Sequence, residues 1–306
     1  MRLPEELIFI ANARLPQKTT DARMDGRVCI VTGATSGVGY QATKRLAQGG
    51  ATIVMVCRNA EKAAKVGQEV HSSYGACTDV VLADFEKLID VRGAARAVLD
   101  RYGRIDVLIN SAGIHRTRRT LTESGIEVVF YVNHLASFLL TRLLLDRLKE
   151  SAPSRIIQVN SEGHRFGGLN VNDLNWKRRP YHGLLSYGAA KVAQLHTVRE
   201  LATRLAGSGV TINAMHPGAV KTNIGMDNGP FYRWYRRNVV NRFLKDPAIS
   251  GEAIYYLAAA PELAYVSGRY FNLTIEEPPA SYVMNRTIGQ RVWQISEELT
   301  GLADPR

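Results

Sequence analysis

The chain reads as a single doubly wound α/β domain, Rossmann-like, built around a mostly parallel sheet of seven strands. Three observations predict this: seven short apolar runs, helical stretches between most of them, and a glycine-rich turn directly after the first run. Parallel neighbours are joined only by crossover connections, so apolar runs alternating with helices imply a sheet covered on both faces. With 306 residues, 45% hydrophobic and 22% charged, the chain has the composition of one large globular domain. No Pro/Gly/Ser linker, internal repeat or low-complexity tract divides it.

Residues 1–25 carry no strong periodicity and read as an arm that packs on the domain or lies at its surface. The domain proper spans 26–275, and 276–306 form a C-terminal extension. Arg27-Val-Cys-Ile-Val-Thr32 is the continuous apolar run of a buried parallel strand. The turn Thr32-Gly-Ala-Thr-Ser-Gly-Val-Gly39 leads from it into a helix ending near Gly49-Gly50. The next strands are expected at Thr52 to Cys57, Asp79 to Ala83, Ile105 to Asn110, Arg155 to Asn160, Val210 to Ala214 and Gly268 to Phe271. In such sheets ligands sit beyond the carboxyl ends of the strands.

The formal net charge of +11 comes from an excess of arginine, clustered at Arg116, Arg118 and Arg119, at Lys177 to Arg179, and at Arg233, Arg236 and Arg237. Such an excess suits nucleic acid, a membrane surface or an anionic small molecule. No finger, homeodomain or RNA-recognition signature accompanies it, so nucleic acid is not expected as a partner. Cys29, Cys57 and Cys77 are too few and too scattered for a disulfide framework or a CxxC metal site, and no metal is expected. His164 and His216 lack ligand spacing and read as loop hydrogen-bonders. Leu7-Ile-Phe-Ile-Ala11 is too short for a signal core or a membrane span, so the expected location is the cytoplasm. Without a secretory signal, Asn272-Leu-Thr274 and Asn285-Arg-Thr287 are chance matches to the glycosylation sequon.

Two constellations carry chemistry. Gly33, Gly37 and Gly39 close the first turn so that backbone N–H groups and a helix N-terminus can approach a pyrophosphate. Tyr187-Gly-Ala-Ala-Lys191 places a tyrosine and a lysine four apart on one helix face. A fixed ammonium there favours the phenolate and draws a group that titrates near ~10 toward neutral pH.

With Asn110-Ser-Ala-Gly113 after the fourth strand, Asn133 in the following helix, Ser161 after the fifth strand, and Pro217-Gly218 with Thr222 after the sixth, the chain resembles the short-chain dehydrogenase/reductases over residues 25–275. The resemblance implies an oxidoreductase with a catalytic tetrad. Tyr187 would exchange a proton with the carbonyl or alcohol oxygen. Lys191 would hold the nicotinamide ribose and bias the tyrosine. Ser161 would hydrogen-bond the substrate oxygen, and Asn133 would support a water joining Lys191 to solvent. The chain departs from the family pattern at Ser111, where a second asparagine is usual, and at Asn160, where a serine often precedes Ser161.

The cofactor site implied by the resemblance draws Thr35, Ser36 and Val38 from the first turn, Asp84 and Phe85 from the end of the third strand, and Asn110, Ala112 and Gly113 from the fourth. Pro217, Gly218, Val220 and Thr222 follow the sixth, and Tyr187 and Lys191 complete it. At the end of the second strand stands Arg58-Asn59, where an acidic residue would bond a ribose 2′-hydroxyl and repel a 2′-phosphate. A guanidinium forks onto phosphate oxygens, so NADP(H) is favoured over NAD(H).

A narrower resemblance is to the retinol dehydrogenase-like branch, whose members interconvert lipophilic carbonyls and alcohols. It rests on Val132-Asn-His-Leu-Ala-Ser-Phe-Leu-Leu-Thr141, Ser161-Glu-Gly-His164, Ser267-Gly-Arg-Tyr-Phe271 and Arg291-Val-Trp-Gln-Ile-Ser296. A hydrophobic substrate is expected between loops 162–186 and 219–245, which carry Phe166, Trp176, Tyr181, Leu184, Phe231, Trp234 and Tyr235. Segment 231–243 mixes aromatics and arginines as interfacial helices do, which would give peripheral membrane contact. The resemblance further implies a homodimer through the two long helices containing Asn133 and Tyr187, a surface that 276–306 would cover or extend. An NAD-dependent alcohol or steroid dehydrogenase and a non-catalytic dinucleotide-binding scaffold are the alternatives.

Overall fold

In the computed structural model, residues 12, 15–221, 224–226, 228–230 and 244–303 are described. The strands are β1 (Val28–Thr32), β2 (Thr52–Cys57), β3 (Thr78–Leu82), β4 (Val107–Asn110), β5 (Ser154–Val159), β6 (Val210–His216), β7 (Tyr270–Asn272) and β8 (Ile275–Glu276). They form one sheet in the order β3-β2-β1-β4-β5-β6-β7-β8. The first seven are parallel, and β8 pairs antiparallel with β7. The sheet thus has eight strands where seven were expected. The extra one is a two-residue edge strand, shorter than any apolar periodicity can reveal.

Alternate residues along β1 serve two cores. Ile30 joins the cluster under the helices that include Val128–Glu150, while Cys29 and Val31 join the opposite one with Ala42 and Leu46. On the second face lie α1 (Gly37–Gln48), α2 (Ala60–Tyr74) and α6 (Ala248–Ala259). On the first lie α3 (Leu88–Arg101), α4 (Val128–Glu150), α5 (Gly183–Arg204) and α7 (Arg286–Thr300). α4 is long and apolar enough to cross a membrane, with a mean hydropathy of 1.6, but 83% of that stretch is buried in the domain. Its composition is that of a core helix enclosed by protein on nearly all sides.

The described residues of the arm pack on the domain. Asn12 Nδ2 donates to Glu277, Lys18 N donates to Thr274, Ala22 O accepts from Tyr255, and Met24 N donates to Gly49 O. At the other end α7 lies across α4 and α5. Trp293 is 2% exposed; it meets Phe138 edge-on and is flanked by the guanidiniums of Arg142 and Arg204. Arg142 also pairs with Glu297, and the His134 ring meets Ser296 Oγ at 2.7 Å. The helix surface expected to join two protomers is therefore occupied by α7 of the same chain. Both sequons have structural duties: Asn272 is buried in β7, and Asn285 caps α7 by accepting from Ile288 N.

Candidate active site

The order of the strands reverses between β1 and β4, and a cleft of about 590 Å³ opens beyond their carboxyl ends. Its floor is main chain. Thr32 Oγ1, at the end of β1, accepts from the N–H groups of Ser111 (2.9 Å) and Ala112 (3.0 Å), which ties the two strand ends together. Gly33 and Gly37 take φ of 66° and 57°, a region open to glycine. A Cβ on Gly33 would lie 3.0 Å from Ala112 Cα, and one on Gly39 would lie 2.4 Å from Gly33 O. Ser36 precedes α1 with no side-chain capping bond, so the first-turn N–H groups of α1 are not taken up by their own cap. Ser36, Gly37 and Val38 line the cleft.

At one end stand Arg58 and Lys62. Asn59 does not line the cleft; its side chain caps α2 by accepting from Lys62 N (2.8 Å). That cap sets Lys62 on the first turn of α2, beside Arg58. Asp84 and Phe85 lie outside the lining: Asp84 Oδ1 accepts from Glu86 N (3.1 Å) within its own turn, and Phe85 is buried in the core. Asn110 turns away, donating to Thr141 Oγ1 (2.8 Å). Thr35 does not line the cleft either, whereas Ala112, Gly113, Pro217, Gly218 and Val220 do. Thr222 lies outside the described residues.

Three of the four expected catalytic residues share one wall. Ser161, Tyr187 and Lys191 line the cleft together. Gly163 makes room for this. A Cβ there would come within 3.3 Å of the Tyr187 ring and 3.4 Å of Ser161 Oγ, and a Cβ on Gly188 would lie 2.5 Å from Gly163 O. Asn133 sits behind them, fully buried in a stretch of π-helix, Tyr131–Ala136, within α4. Its side-chain amide clamps the loop after β4, accepting from Ile114 N (2.8 Å) and donating to Ile114 O (3.0 Å). Its main-chain oxygen accepts from Ser137 Oγ and Gln194 Nε2. Gln194 Oε1 in turn accepts from Asn160 Nδ2 (3.0 Å), and Asn160 Oδ1 accepts from Ser161 N (2.9 Å).

The electrostatics correct one expectation. Burial pushes the Tyr187 phenol up to about 12, opposite to the depression expected from its lysine neighbour. Burial also draws the Lys191 ammonium down to about 7. Lys191 Nζ donates to Val159 O at 2.9 Å and stands 5.5 Å from the Tyr187 ring centroid. Desolvation of both groups outweighs their mutual influence, so the proton stays on Tyr187 at neutral pH.

Of the two expected walls, 219–245 lines the cleft and 162–186 does not. No residue of 162–186 lines the cleft; Ile114, His115 and Arg116 take that side, facing Ile224, Gly225, Met226 and Leu244. Trp176, with φ of 55°, is buried under the Arg179 guanidinium and edge-on to Tyr181. Tyr181 OH donates to the buried Glu127 carboxylate (3.1 Å). Phe166 and Leu184 are exposed. Phe231, Trp234, Tyr235 and the rest of 231–243, with their expected membrane contact, lie outside the described residues. Lys62, His115 and His216 are lining residues not anticipated as such. Lys62 was legible, since a cap at Asn59 places it one turn into α2; His115, 6.0 Å from the Tyr187 ring, carries no motif. Among the described residues no group of three His, Cys, Asp or Glu side chains could hold a metal ion.

Comparison with known proteins agrees with this geometry. The short chain dehydrogenase family profile matches residues 27–232. Retinol dehydrogenase 13 of Homo sapiens is 36% identical over 302 residues, covering 97% of this chain and 90% of its own length. The crystal structure of an uncharacterized protein from Mycobacterium paratuberculosis superposes with a TM-score of 0.74 at 30% identity, covering 95% of this chain and all of that one. A short chain dehydrogenase from Burkholderia cenocepacia, solved in complex with NADP, superposes with a TM-score of 0.64 at 25% identity, covering 82% of this chain and 96% of that one.

Proposed function

From the premise that this chain belongs to the short-chain dehydrogenase/reductases, an oxidoreductase family binding nicotinamide dinucleotides, and to their retinol dehydrogenase-like branch, we propose that it reduces hydrophobic aldehydes or ketones with NADPH. The observation that carries the reading is the wall of Ser161, Tyr187 and Lys191 facing a floor of glycine main chain within one cleft. That floor fits a dinucleotide, since Gly33 and Gly39 let the β1 turn close against Ala112 and against itself, which leaves main chain at the cleft surface. Arg58 and Lys62, at the end of β2 and the start of α2, are the groups for a 2′-phosphate. The likeness to the NADP-bound Burkholderia enzyme supports the same choice.

When bound, the nicotinamide supplies the hydride. The chain's own residues do the rest. Ser161 Oγ holds the substrate oxygen beside Tyr187, which carries its proton at neutral pH and so serves as the acid for reduction. Lys191 in its charged form stabilises the phenolate left behind. Asn133 keeps the β4 loop in place through Ile114, and Gln194 and Asn160 fix the main chain at Ser161. Ile114, Ile224, Met226 and Leu244 give the mouth its apolar faces. A reducing cytoplasm, rich in NADPH, favours the reductive direction.

The test is turnover of NADPH and NADH by the purified chain, by Tyr187→Phe and by Arg58→Ala, over a panel of lipophilic aldehydes and ketones. Wild type should prefer NADPH, Tyr187→Phe should lose at least about a thousandfold in kcat while still binding cofactor, and Arg58→Ala should narrow the preference by about tenfold. Equal use of NADH by wild type would favour the NAD-dependent alternative, and binding without turnover would favour a scaffold.

A further inference from the structure

Ser161 is followed by one turn of 3-10 helix, Glu162–Arg165, and that turn is gripped from outside the catalytic half by the C-terminal extension. Ser161 O accepts from His164 N (3.1 Å) and from His164 Nδ1 (2.8 Å). The other ring nitrogen, Nε2, accepts from Ala280 N at 3.1 Å. These two partners fix the tautomer: the proton is on Nδ1, and the ring bridges Ser161 to residue 280. Tyr282 OH donates to His164 O. Arg165 Nε donates to Glu162 Oε2 (2.6 Å), while its Nη2 donates to Glu277 Oε1 (2.9 Å) and to Pro278 O (2.9 Å). Tyr270 OH, from β7, closes the cluster on Glu162 Oε1 (2.7 Å).

We infer that residues 277–282 are a strap holding the Ser161 turn at its working distance from Tyr187, with His164 as the positioning residue through which the strap acts. The inference rests on the reading of Ser161 and Tyr187 given above. Two features support a positioning role. First, the bonds at the centre of the strap are dry: His164 is wholly inaccessible, and the Arg165 and Glu277 side chains are 1% and 0% exposed. A partner lost there is not replaced from solvent, so these bonds hold the turn rather than decorating it. Second, the turn is held from two sides. On the Tyr187 side it is packed to main-chain contact through Gly163, Gly167 and Gly188, where a Cβ on Gly167 would lie 2.3 Å from Gly188. The opposite side is the space the strap occupies. The strap therefore sets how far Ser161 Oγ can retreat from the Tyr187 hydroxyl.

The deciding measurement pairs hydrogen exchange at residues 161–166 with steady-state kinetics, in wild type, Tyr282→Phe, His164→Asn and His164→Leu. Tyr282 is 41% exposed, so its phenylalanine variant leaves the packing intact. The expected result for Tyr282→Phe is exchange faster by about tenfold and kcat lower by about tenfold, the worth of one half-buried hydrogen bond. The Kd for NADPH should stay within about twofold, because the cofactor floor lies on the other half of the sheet. His164→Asn, which can still donate to Ser161 O, should keep more kcat than His164→Leu. Wild-type exchange and kcat in both Tyr282→Phe and His164→Leu would overturn the strap, as would faster exchange with unchanged kcat. If the wild type reduces no carbonyl, the proposed function fails by itself, and exchange alone then decides: unchanged protection of 161–166 in the variants overturns the strap.

Discussion

The two sides of the cleft are built from different materials. On the β1–β4 side the surface is main chain, shaped by Gly33, Gly37 and Gly39 and tied by the Thr32 hydroxyl. On the β5–β8 side the lining side chains of Ser161, Tyr187 and Lys191 are backed by a set of buried ones, Asn133, Asn160, His164, Arg165, Gln194 and Glu277, each engaged by partners distant in the chain. A dinucleotide presents the same phosphates to every such protein, so a surface of fixed N–H groups suffices for it. A reacting carbonyl needs a hydroxyl and a phenol at set separation. Only an over-determined network of side chains supplies that.

If this contrast is right, damage to each side should have a different signature. Arg165→Met should do most harm to the fold. It leaves Glu162 and Glu277 buried together without their shared cation, which should cost about 3–5 kcal/mol in chemical denaturation. A loss below about 1 kcal/mol would mean that the network is not over-determined. Next comes the pH dependence of reductive kcat/KM, which reports the free enzyme. Lys191, drawn down to about 7 by burial, loses its charge above that pH, while Tyr187, held up to about 12, keeps its proton. The rate should therefore fall about tenfold per unit above about pH 7 through loss of one proton. Lys191→Met should flatten that limb; a limb that survives in the variant belongs to another group.

The main-chain side breaks through sterics instead. Gly39→Val puts carbon against Gly33 O and should weaken NADPH binding by about 1–3 kcal/mol in a fluorescence titration. Exchange at 161–166 should be unchanged in that variant. Smallest is Asn59→Ala, which removes the α2 cap at a cost of about 1 kcal/mol in urea denaturation and loosens Lys62 without touching the wall of Ser161, Tyr187 and Lys191.

The same contrast explains what the sequence could disclose. Glycines at a strand-to-helix turn and apolar runs are local signals, so the parallel strands, the glycine floor of the cleft and the placing of Ser161, Tyr187 and Lys191 at its wall were readable from short stretches. The strap was not. Arg165 and Glu277 are 112 positions apart, and neither stretch hints at the other. Burial was equally invisible: Tyr187-Gly-Ala-Ala-Lys191 displays the ammonium beside the phenol, but not the desolvation that overrides it. Aromatic content pointed to 162–186 as a substrate wall, yet Trp176 spends its face on Arg179 and Tyr181.

α7 has a bearing beyond its packing. By laying Trp293, Ser296 and Glu297 over α4 and α5, the chain supplies from its own sequence the cover that a second protomer would otherwise give those helices. Specific activity should hold constant under serial dilution, and a chain ending at Asn285 should lose that independence, becoming sticky and concentration-dependent.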